Sequence, residues 1–151
     1  MTALKGRAIE AFVERRERDV SAVLIYGPDA GLIRERADRL ARAVVADFKD
    51  PFNFIELTDA DVKAEPGRLA DEAAALSFAG GERVVRLRTS GESAAKAAQA
   101  LVDGLDGGYL AANALVVIDL LLLGPLGSTA LDLHARPPRL RLGAARPALA
   151  T

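Results

Sequence analysis

The sequence predicts an α/β domain, a three-layer fold with a parallel sheet and helices on both faces. Two observations carry this. Short apolar runs rich in valine, isoleucine and leucine alternate with amphipathic stretches of roughly 10–15 residues, the rhythm of βαβ units. The composition is that of an ordinary globular chain: 151 residues, 50% apolar and 27% charged, long enough for one domain with its own core.

Each element has its own signal. "LKGRAIEAFVERRE" sets Ile9, Phe12 and Val13 on one helical face. "VSAVLIYG" is a buried strand ending at Gly27. "LIRERADRLARAVVADF" is the clearest helix, with Leu32, Ile33, Ala37, Leu40, Ala41, Val44 and Val45 in one stripe and Arg and Glu opposite. "FNFIEL" reads as the next strand. "TDADVKAEPGRLADEAAAL" reads as a helix with Thr and Asp as caps and Pro66 near a first turn. "ERVVRLR" is a third strand, "SGESAAKAAQALVDGL" a third crossover helix and "NALVVID" a fourth strand. No internal repeat is present.

The turn after the first clear strand, "LIYGPDAGLIRERA", lies where a phosphate-binding loop would sit. The Walker pattern needs Gly, four residues, then Gly-Lys-Ser/Thr. Counted from Gly27, those last three places hold Leu32, Ile33 and Arg34. The lysine that would meet the phosphates and the hydroxyl that would hold magnesium are both missing. Gly27, Pro28 and Gly31 therefore mark a degenerate phosphate loop not expected to bind nucleotide, and no cofactor is expected. Asp119, at the tip of "ALVVID", looks like a Walker B acid, but an acid at a strand end needs no such explanation. His134 is the only histidine. No G-x-S-x-G elbow, H-E-x-x-H or metal cluster occurs, and Asp59 and Asp61 are explained as caps. No catalytic residue and no metal site are expected, so the scaffold reads as that of an NTPase without the chemistry.

Composition narrows the classes further. The chain has no cysteine, which excludes a disulfide framework or thiolate metal site and fits a cytoplasmic location. The charged N-terminus lacks a signal-peptide core, and no apolar stretch is long enough to span a bilayer. With a net charge of −1 there is no global basic field for nucleic acid. Arg15, Arg16 and Arg18 are interleaved with Glu14, Glu17 and Asp19 and read as a solvated helix face.

The chain changes character after Asp119. Residues 120–151 contain no lysine, a single acid (Asp132) and many Leu, Arg, Pro and Ala residues. The expected division is a domain over residues 1–119 and an atypical Leu/Arg/Pro-rich tail over 120–151, irregular beyond the Leu120–Leu123 run. Such a tail is what a shifted reading frame in GC-rich coding sequence tends to give; "GPLGS" within it resembles a cloning scar, but its internal position favours coincidence.

Three blocks in register, "AVLIYGPDAGLIRERADRLARAV", "DADVKAEPGRLADEAAALSFAGGERVVRLR" and "NALVVID", resemble the N-terminal domain of the delta subunit of the bacterial DNA polymerase III clamp loader. The likeness spans Leu4 to Asp119 and rests on the three blocks together, not on one diagnostic motif. It implies an AAA+-like fold whose phosphate loop is inactive. It also implies a non-catalytic component of the DNA-directed DNA polymerase (nucleotidyltransferase) holoenzyme. The partner would be the sliding clamp (the beta subunit), held in its open form for loading on primed DNA. DNA would be met only through the assembled complex. The other loader subunits would join through a helical collar, which the matching sequence does not reach.

The family's clamp-binding element is a helix end carrying a Leu/Phe-type pair, and Leu76-Ser77-Phe78 match it. A phenylalanine next to Gly80-Gly81 is hard to bury in its own domain, so the resemblance makes Phe78 an exposed anchor. Ser77 departs from the pattern, since some relatives carry an apolar residue there. Packing of Leu76 and Phe78 on the domain's own core is the competing expectation. A small nucleotide-binding enzyme with an unusual loop and a non-functional truncated fragment are the two alternatives for the whole chain.

Overall fold

The computed structural model describes residues 2–4, 7–15, 20–78, 80–89, 93–108, 110–121 and 130–135. In chain order the elements are β1 (Thr2–Leu4), α1 (Arg7–Glu14), β2 (Val20–Gly27), α2 (Ala30–Arg42), β3 (Phe54–Thr58), α3 (Asp59–Ala64), α4 (Arg68–Ala74), β4 (Arg83–Thr89), α5 (Ser93–Asp106), β5 (Ala114–Leu121) and β6 (Ala130–Ala135).

The six strands form one sheet in the order β1-β6-β2-β5-β4-β3. Strands β2, β5, β4 and β3 run parallel to one another, so the predicted α/β class holds for this four-stranded core. Parallel neighbours require crossovers over the sheet faces, which explains the near-continuous apolar runs of β2 and β5. Alternate side chains feed two cores. Val23, Ile25, Leu115 and Val117 pack with Ile9, Phe12, Val13, Ile33, Ala37 and Leu40 of α1 and α2. Ala22, Val85, Leu87, Val116 and Ile118 pack with Val62, Leu69, Ala73, Leu101 and Leu105 of α3, α4 and α5 on the other face. Full burial of one such aliphatic side chain contributes about 1.5–3 kcal/mol.

The helix expected across residues 58–76 is two helices. Glu65 precedes Pro66 and is extended, at φ −134° and ψ 91°. The proline ring excludes the helical region for the residue before it and supplies no N–H, so the chain breaks there and α4 starts at Arg68. Helix α2 also stops at Arg42, short of the stripe's last members, yet Val45 is still buried against Phe54 and Val84.

The expected irregular tail needs correction at one place. Leu120 and Leu121, within the run excepted from it, belong to β5, but Ala130–Ala135 forms a strand that pairs antiparallel with β2 and with β1. "ALDLHA" alternates apolar and polar residues with the strand period, and its pairing covers an edge of β2 that would otherwise be open. Residues 122–129 and 136–151, the rest of that tail, lie outside the described residues.

Candidate functional site

Helix α4 ends at Ala74, and Ala75 turns the backbone out of the helix at φ −65°, ψ 140°. Leu76, Ser77 and Phe78 therefore sit on the connection just past the helix, not within its last turn. The carbonyls that a helix end leaves without partners are taken up from outside. Asn113 donates its backbone N–H to Ala73 O at 2.8 Å and its Nδ2 to Ala74 O at 2.7 Å. Arg83 Nη1 donates to Glu72 O at 2.7 Å and to Ala75 O at 3.3 Å. The chain then turns through Gly80 and Gly81, both at positive φ (77° and 84°), into β4.

The two apolar side chains this connection carries are exposed. Phe78 is 91% exposed and Leu76 76%. One other large apolar side chain among the described residues is exposed, Phe52 at 60%, and it is in the same place. The Phe52 and Phe78 rings meet edge to face, with centroids 5.8 Å apart and planes at 85°. The segments are joined beneath the rings: Ser77 Oγ donates to Asn53 Oδ1 at 2.6 Å, and Arg83 Nε donates to Phe52 O at 2.8 Å. Arg83 is buried and also pairs with Glu72 at 3.1 Å. Asp50 shapes the turn by accepting the Phe52 N–H at 2.9 Å, a bond that holds its carboxyl below the usual range. The exposed side chains of Leu76, Phe78 and Phe52 thus stand on two segments that are tied to each other by Ser77–Asn53 and by Arg83.

Sequence reasoning singled out Leu76, Ser77 and Phe78; the structure leaves Leu76 and Phe78 exposed and ties Ser77 to Asn53. It missed Phe52, Asn53 and Arg83. Phe52 was assigned to a strand that begins only at Phe54. The signal available was "DPFN", an Asp-Pro turn opening that takes Phe52 off the strand's alternation.

The second candidate region lies at the carboxyl ends of β2, β4 and β5. Only Pro28 and Asp29 separate Gly27, the last residue of β2, from α2. Asp29 is the N-cap and accepts the Leu32 N–H at 3.0 Å. A carboxylate is therefore already seated where a phosphate would approach the helix end. Gly31 lies inside α2, so Gly27, Pro28 and Gly31 make no extended cradle. Beside them is a pocket of about 230 Å³ lined by Ala30, Ile33, Arg34, Arg88, Thr89, Asp119 and Leu121. Asp119 is buried, and its Oδ2 accepts from Arg86 Nη2 at 2.7 Å and from Arg86 Nε at 3.1 Å. Burial pushes its carboxyl above the usual range, and the Arg86 charge opposes that push. Asp119 is thus committed to a buried ion pair that Asp38 of α2 completes from the other side. No group of His, Asp and Glu suited to a metal is found among the described residues, and no described helix is long and apolar enough to cross a membrane.

Compared with known protein families, curated proteins and solved structures, the chain matches none.

Proposed function

We propose that this chain is a non-catalytic, clamp-binding module of the replication machinery, similar to the N-terminal domain of a clamp-loader delta subunit with an AAA+-like scaffold. One observation carries the reading: the exposed large apolar side chains of the described residues gather at Leu76, Phe78 and Phe52, the surface that includes the segment matching the family's clamp-binding element. Hydrophobic groups held on a bonded backbone and left in water mark a docking surface. Such a surface would favour an open ring only by binding that state better than the closed one.

The pocket near Asp119 is the observation that favours the alternative, a small nucleotide-binding enzyme. Its volume of about 230 Å³ is below the roughly 300–1,000 Å³ typical of ligand sites, and Asp29 already caps the helix beside it. The docking surface is the better-supported site.

Surface plasmon resonance against an immobilised bacterial sliding clamp tests the proposal. Wild-type chain binds, and Phe78→Ala weakens binding by about 1.5–3 kcal/mol, roughly 10- to 150-fold. Equal binding by both proteins would remove Phe78 from the account.

A further inference from the structure

We infer that Arg83 is the positioning residue of the docking surface: one buried guanidinium sets where Phe78 stands relative to the Phe52 turn. That role rests on the clamp-binding reading above. Arg83 is buried and touches no partner, so it acts by holding the connection that carries Leu76 and Phe78.

Arg83 is the first residue of β4, and its side chain passes under the connection that leaves α4. All three guanidinium nitrogens are in use. Nη1 donates to Glu72 O at 2.7 Å and to Ala75 O at 3.3 Å, and the second bond closes the base of the 76–82 connection. Nη2 pairs with Glu72 Oε2 at 3.1 Å, and Nε donates to Phe52 O at 2.8 Å.

Capping the end of α4 accounts for the bonds to Glu72 and Ala75. It does not account for Nε. That nitrogen reaches a segment 31 residues away along the chain. The carbonyl it meets belongs to the residue whose ring lies edge to face against Phe78. Ser77 Oγ, bonded to Asn53 Oδ1 at 2.6 Å, is a second and smaller tie between the same two segments.

The guanidinium is planar, and its donors point in fixed directions. By bonding three carbonyls and one carboxylate at once, Arg83 fixes the end of α4, the 76–82 connection and the Phe52 turn relative to one another. Burial strengthens these bonds, because water competes for them little. Phe78 is exposed and has little packing of its own to hold it. A connection fixed before a partner arrives loses less conformational entropy on binding. Lysine at position 83 would keep a positive charge beside Glu72, but its single nitrogen on a flexible stem does not reproduce the fork.

The test compares the full chain as wild type, Arg83→Lys and Ser77→Ala, at a temperature where circular dichroism shows each to be folded. Nuclear Overhauser contacts between the Phe52 and Phe78 rings are measured without a partner. Dissociation constants for a purified bacterial sliding clamp are measured by isothermal titration. The expected ring contacts are strong in wild type, weaker in Ser77→Ala and lost in Arg83→Lys, while the signals of the core rings Phe12 and Phe54 stay in place. Clamp affinity falls roughly 3- to 10-fold in Arg83→Lys. A residue that only caps α4 would lower the melting temperature and leave the ring contacts and the affinity of the folded chain unchanged. That result overturns the inference, and wild-type binding then leaves the clamp-binding reading standing. If wild type does not bind the clamp, that reading falls, and the ring contacts of Arg83→Lys still decide whether Arg83 sets the ring geometry. Hydrogen exchange of the Arg83 Nε proton in wild type needs no variant: slow exchange is expected from its bond to Phe52 O, and exchange as fast as that of a free guanidinium would overturn the inference.

Discussion

Arg86 is a fully buried cation held between Asp119 and Asp38, two carboxylates supplied by β5 and α2. A buried ion pair contributes little net stability compared with apolar packing, but removing one partner strands the others in low dielectric. Arg86→Ala is therefore expected to destabilise the domain by about 3–5 kcal/mol, read as a lower urea midpoint with an unchanged slope. The sequence pattern marked Asp119 as an acid at a strand tip and could not name its partner. Arg86 sits inside "ERVVRLR", where a charged residue on an alternating strand reads as solvent-facing until both sheet faces are known to be covered. The same blindness hid Phe52: its exposure follows from a turn, and its neighbour Phe78 is 26 residues away along the chain.

At the scale of elements, most of the helices and strands were legible because their patterns are strong. The apolar stripe of α2 and the valine-rich runs of β2, β4 and β5 can each be buried in only one way. Boundaries set by single residues were harder. Pro66 splits α3 from α4 where the periodicity continues across it, and "ALDLHA" is too short to stand out from its Pro- and Arg-rich surroundings. The turn at Gly80–Gly81 sets the exit from Phe78 into β4. Both glycines have positive φ, and a Cβ at either position would meet nothing within 4 Å. The cost of Gly81→Ala is therefore backbone strain alone, about 1–2 kcal/mol, measurable as a drop in melting temperature with the circular dichroism spectrum unchanged.

For the whole molecule, the parallel core and its two covered faces were predictable, whereas the addition of β6 and β1 at one edge was not. That edge depends on pairing between segments more than 100 residues apart, which no local pattern encodes. The two helices on one face of the sheet are also tied by charge. Arg36 and Arg39 of α2 hold Glu10 of α1 at 3.2 and 3.0 Å, and the bond from Arg39 keeps the Glu10 carboxyl below its usual 4.5. Asp61 lies below 3.8 because Thr58 donates to it at the start of α3. With folded values depressed, the unfolded chain binds more protons as pH falls. Stability contributed by Glu10, Asp50 and Asp61 is present above about pH 4.5 and is lost below it as each folded value is passed. Urea midpoints that fall steadily below that pH are the expected outcome; midpoints that rise would contradict the ion pairs.

The central claim is that exposed phenylalanine, not a nucleotide pocket, is the working surface. Fluorine NMR of the chain labelled at its five phenylalanines, with and without a bacterial sliding clamp, tests it most directly. The account predicts that the Phe78 resonance shifts or broadens on clamp addition while those of the core residues Phe12 and Phe54 do not. A Phe78 signal that is unchanged at saturating clamp would contradict it.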